Sequence, residues 1–126
     1  MEHLLPLTFA SSIQTLTDLF PQSDDGLDVR DKLGEIINLK GALQRFGLGV
    51  LIKLGNKGTE AIGIITHASH IMEENINTLQ TFLGNHTSGT CSNEACNKSV
   101  DKAFFDIEMA FNIAMIDLPH AIHNGI

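Results

Sequence analysis

Apolar side chains recur three or four residues apart over most of this chain, the spacing that lines one face of an α-helix. The first such run places Leu5, Phe9, Ile13, Leu16 and Phe20 in one stripe. Pro6 suits a first helical turn, where its missing N–H costs little, and Pro21 ends the run. The stretch Pro21-Gln22-Ser23-Asp24-Asp25-Gly26 is turn chemistry. A second run from Asp28 to Phe46 predicts a helix burying Val29, Leu33, Ile36, Ile37, Leu43 and Phe46, with Gly47 as its C-terminal stop. In the third, Thr59 is the expected cap and Glu60 sits in the positive first turn. Its heptad-like seam is Ile62, Ile65, Ser69, Met72, Ile76, Leu79 and Leu83, and Gly84 ends it. Ser99 is the expected cap of a fourth helix carrying Val100, Phe104, Ile107, Phe111, Ala114 and Leu118, which Pro119 closes.

Between the second and third runs, Gly47, Gly49, Gly55 and Gly58 bracket Val50-Leu51-Ile52-Lys53-Leu54. This segment reads as a short helical turn that packs down as an apolar plug between long helices. The β-branched residues follow helical rather than alternating spacing, so strands are not expected. The fold class is therefore all-α: an antiparallel four-helix bundle with a short extra helical segment near 48–55, in one domain over 1–126. A chain of 126 residues, 43% of them hydrophobic, holds enough material for one core.

The formal charge of −7 repels a phosphate backbone, so nucleic acid is excluded as a partner. Acid gathers early, at Asp18, Asp24, Asp25, Asp28, Asp31 and Glu35, where it complements a helix dipole or a basic partner. No apolar run reaches the roughly 18 to 20 residues that cross a bilayer, and Lys53 interrupts the stretch from Leu48 to Leu54. The start, Met1-Glu2-His3-Leu4-Leu5, carries an acid where a signal peptide carries a base. That leaves two localisations open, cytoplasmic or secreted with its signal removed. Cys91 and Cys96 share a polar loop, expected from Gly84 to Lys98, and suit either a local disulfide or two free thiols. The acceptor triplets Asn85-His86-Thr87 and Asn97-Lys98-Ser99 flank the pair and lean towards secretion.

Candidate chemistry is sparse. His67, His70 and Glu74 lie on the helix side opposite the third seam, where imidazoles and a carboxylate can hold a borderline metal such as zinc. His120 and His123 repeat the three-residue step in the tail. A buried di-metal bundle needs inward carboxylates, whereas the inward positions here are Ile, Met, Leu and Phe. Gly55-Asn56-Lys57-Gly58-Thr59 precedes a helix but lacks the order of a phosphate loop. Phe104, Phe105 and Phe111, with Met72, Met109 and Met115, suit either plain core or an adaptable apolar pocket. Phe104 and Phe105 are adjacent and cannot both face one stripe, so one of them is expected in an exposed patch that favours a partner helix or a dimer.

The stretch Ile37-Asn38-Leu39-Lys40-Gly41-Ala42-Leu43-Gln44-Arg45-Phe46-Gly47-Leu48 resembles the phosphoacceptor helix of histidine-phosphotransfer (HPt) domains. Lys40 and Gly41 match the lysine and glycine that follow the acceptor in that family, and Asp18-Leu19-Phe20-Pro21 suits its first helix–helix link. The acceptor position itself holds Ile37, so the resemblance implies a non-phosphorylatable relative that docks or inhibits through Lys40 and Gly41. The residues themselves favour a non-catalytic binding module that needs no cofactor. It would act through an apolar helix face or an apolar pocket, with a protein partner, a second copy or a small apolar ligand. Its expected anchors are Val50, Leu51, Ile52, Leu54, Phe104, Phe105 and Met109.

Overall fold

A computed structural model describes residues 4–20, 29–85 and 94–125, and every element among them is helical. Helix α1 spans Leu4–Leu19, α2 Val29–Leu54, α3 Thr59–Asn85 and α4 Glu94–Gly125, with a 3-10 turn at Gly55–Gly58 between α2 and α3. Three helices are long, at 26, 27 and 32 residues, and α1 is shorter at 16.

The α2–α3 hairpin closes within the four residues of the 3-10 turn. Gly55 takes φ +54°, the left-handed conformation that breaks α2 without a Cβ penalty. Gly58 is buried against Val50, in a space too small for a side chain. The helices then run antiparallel, with Gly47 beside Ile65 near the turn and Lys40 opposite Glu73 further along.

One hydrophobic core runs through all four helices. Its fully enclosed side chains include Ile36, Leu39, Leu43 and Val50 of α2, Met72 and Leu79 of α3, and Ile107, Phe111, Leu118 and Ile122 of α4. Helix α1 contributes Phe9, Ile13 and Leu16. Two aromatic contacts tie this end of the chain down. Phe9 meets Phe46 edge to face at 5.8 Å, and Phe20 stacks on Phe111 at 5.1 Å.

Several helix boundaries differ from those expected. Helix α2 does not stop at Gly47 but continues to Leu54, so the separate plug does not exist. The stripe Leu39, Leu43, Gly47, Val50 runs on unbroken, and burying Val50 outweighs the roughly 1 kcal/mol that a helical glycine costs. Leu39 belongs to that stripe, while Ile37 faces out. Helix α4 likewise passes through Pro119 to Gly125, because Ala121 and Ile122 beyond it are buried. It begins at Glu94, so Ser99 lies inside the helix rather than capping it. Thr59 is no N-cap either; it has helical dihedrals, and its hydroxyl donates back to the Asn56 carbonyl at 2.8 Å. On α3 the buried line is Ala61, Ile65, Ala68, Ser69, Met72, Ile76, Leu79 and Phe82, with Ile62 and Leu83 at its margins.

Candidate functional site

With one face of each helix committed to the core, the informative side chains are the apolar ones left outside. On α4 they form a line of Phe105, Met109, Ile113 and Ile116. The spacing of four, four and three keeps them on one helical face. Phe105 is 59% exposed, whereas its neighbour Phe104 is half-buried beneath the Lys32 ammonium, 5.7 Å from the ring centroid. Helical spacing sets Asp101 and Glu108 along one edge of this line and Asp106 and Asp117 along the other. Lys102, at the N-terminal end, is held by Asp106 at 2.7 Å.

The former plug residues divide by the same logic. Val50 is wholly buried and Leu54 half-buried, while Leu48, Leu51 and Ile52 point outward, Ile52 being 82% exposed. Leu48 and Leu51 form the apolar wall of a groove of about 430 Å³ between α2 and α3. Ile62 and Ile65 face them from α3, and Gly47 leaves the floor bare. Towards the other end the lining turns polar, with Gln44, Lys40, Ser69, His70 and Glu73. The Lys40 ammonium lies 2.6 Å from a Glu73 carboxylate oxygen, and its side chain is only 19% exposed. That contact holds the Glu73 carboxyl below its ordinary value, chiefly through the Lys40 hydrogen bond and charge. Gly41 sits half-buried beside Lys40 with the Arg45 side chain near it.

The proposed metal ligands His67, His70 and Glu74 are all exposed but are not brought together. His70 pairs with Glu74 at 2.8 Å beside the α2–α3 groove, while His67 lines a different groove between α3 and α4 with Glu60 and Asp117. Among the described residues, no three His, Cys, Asp or Glu side chains are arranged to hold a metal ion. His120 and His123 are exposed near the end of α4. Cys91 lies outside the described residues; Cys96 is half-buried in the first turns of α4, and no free cysteine occurs among the described residues. Asn85 ends α3 and Asn97 lies on α4, both exposed.

Two features escape sequence reasoning. One is the α2–α3 groove itself, which needs two helices in register. The other is Ser69, the sole buried polar side chain among the described residues, whose hydroxyl has no hydrogen-bond partner. Its place in an otherwise apolar seam is the signal that marks it. No helix is long and apolar enough to cross a membrane among the described residues. No protein family, curated protein or solved structure matches this chain.

Proposed function

We propose that this chain is a non-catalytic binding module, an antiparallel four-helix bundle whose contact surface is the outer face of α4. The observation that carries this reading is the exposed line Phe105, Met109, Ile113 and Ile116. Exposed apolar side chains scattered singly are ordinary, but four in register along one helix make the seam of a helix–helix contact. The acidic residues on both edges favour a partner helix with a basic rim over a second copy, whose own acids would meet these. A Cys91–Cys96 bridge, which would staple the start of α4, belongs to the same proposal.

The test is binding of Nile red and of a synthetic amphipathic Leu/Lys helix, alongside light scattering for oligomeric state. Phe105→Glu combined with Met109→Glu should weaken both dye and peptide binding at least tenfold. Stability should change little, since neither side chain is in the core. A monomer that binds neither probe refutes the reading, and so does a double variant that binds as well as the parent.

The HPt-like alternative, docking through Lys40 and Gly41, needs both exposed on α2, whereas Lys40 lines the α2–α3 groove with its side chain 19% exposed and Gly41 is half-buried. It is the weaker of the two, because the Lys40 ammonium is already engaged by Glu73. Surface metal binding through His67, His70 and Glu74 has less support still, since the two imidazoles open on different grooves.

A further inference from the structure

The α2–α3 groove combines three features that the helix-binding reading does not use. Its walls are apolar near the hairpin turn, at Leu48, Leu51, Ile62 and Ile65. At Gly47 a Cβ would stand 3.4 Å from Ile65, so glycine keeps the floor open. Further along, Ser69 is only 8% exposed and its hydroxyl oxygen makes no hydrogen bond. A buried hydroxyl normally has a partner, and one without is destabilised relative to one that a ligand completes.

We propose that this groove binds a small uncharged amphiphile, its apolar body against Leu48, Leu51, Ile62 and Ile65 and an alcohol or amide oxygen bonded to Ser69. The charges at the polar end decide the head group. Lys40 and Glu73 already neutralise each other at 2.6 Å, and the His70 ring nitrogen lies 2.8 Å from a Glu74 carboxylate oxygen. A carboxylate entering there would face Glu73 on a chain of net charge −7. An ammonium would be set against Lys40, whose side chain is mostly buried and already held by Glu73. An uncharged oxygen meets neither penalty, and the Ser69 hydroxyl can donate to it or accept from it. From Lys40 to Leu51 the groove follows α2 for about 16 Å, at 1.5 Å per residue, which suits a chain molecule lying along the helix.

The experiment titrates the full chain with 1-octanol, octanoate and octylamine while following methyl NMR signals of Leu48, Leu51, Ile62 and Ile65 in the groove and of Ile113 and Ile116 on α4. Octanol should give saturable shifts at these methyls, with an affinity at least tenfold above either charged analogue. Ser69→Ala removes one hydrogen bond and should weaken octanol about five- to tenfold. It should stay folded, because the oxygen it deletes bonds to nothing. Leu51→Asp, at an exposed position, should abolish binding. The α4 variant Phe105→Glu with Met109→Glu should leave octanol affinity unchanged, so the two readings fail separately. The proposal is overturned by any of four results: no saturable shift, shifts confined to α4, a charged analogue binding as tightly, or full affinity in Ser69→Ala.

Discussion

Replacing Gly58 with alanine adds one methyl group where the chain has no space for it. A Cβ at this position would lie 2.9 Å from a Val50 methyl, 3.3 Å from the Leu54 Cβ and 3.6 Å from the Val50 carbonyl oxygen. The first distance is 0.5 Å inside the 3.4 Å at which ordinary contact begins. Val50 cannot swing aside, since it is completely buried and a helical valine keeps essentially one rotamer. The hairpin must therefore open slightly, and overpacking of this kind costs about 1–3 kcal/mol. Alanine's better helix propensity returns up to about 1 kcal/mol. The expected net loss is about 1–2 kcal/mol, or roughly 4–8 °C in Tm for a chain of this size. With no Trp or Tyr present, unfolding is best followed by circular dichroism at 222 nm, thermally and in urea. Gly63→Ala is the control: it sits in α3 with nothing within 4 Å of its added methyl, and should gain about 0.5–1 kcal/mol. Adding Val50→Ala to Gly58→Ala should show favourable coupling, because the two methyls compete for one space. A Gly58→Ala chain as stable as the parent, or one that shifts in the same direction as Gly63→Ala, would refute the hairpin geometry.

Other substitutions probe the rest of the frame. Phe111→Ala empties a fully buried site and removes the stack on Phe20, so urea denaturation should register a loss of about 3–5 kcal/mol. Pro119→Ala restores a backbone N–H inside α4, and should raise stability by about 1–3 kcal/mol and slow amide exchange at Ala121 and Ile122. The Lys40–Glu73 contact gives a pH signature. The folded-state Glu73 carboxyl titrates below its ordinary 4.5, so its contribution is complete above that pH and is lost as pH falls through the lower folded value. Glu73→Gln should flatten that part of the acid limb in a stability–pH profile by slightly lowering stability at neutral pH while leaving the acid end unchanged, a small effect because the Glu73 carboxylate is solvent-exposed.

Much of the interior is determined by the order of residues alone. Phe9, Ile13 and Leu16, then Met72, Ile76 and Leu79, then Ile107, Phe111 and Leu118 recur at helical spacing, and each trio is buried. Adjacent phenylalanines on a helix cannot share a face, which fixes that one of Phe104 and Phe105 turns outward. What tertiary structure decided is where helices end and what faces what across them. Gly47 and Pro119 are local breakers worth about 1 and 3 kcal/mol, and both are overruled by apolar side chains buried beyond them, Val50 in one case and Ile122 in the other. The pairing of Lys40 with Glu73, the separation of His67 from His70, and the groove around Ser69 all depend on the register between helices. Periodicity within one helix says which side of it is apolar, but carries no record of which residue on a neighbour will lie opposite. That is set by the total packing of two surfaces, after the chain has turned at Gly55.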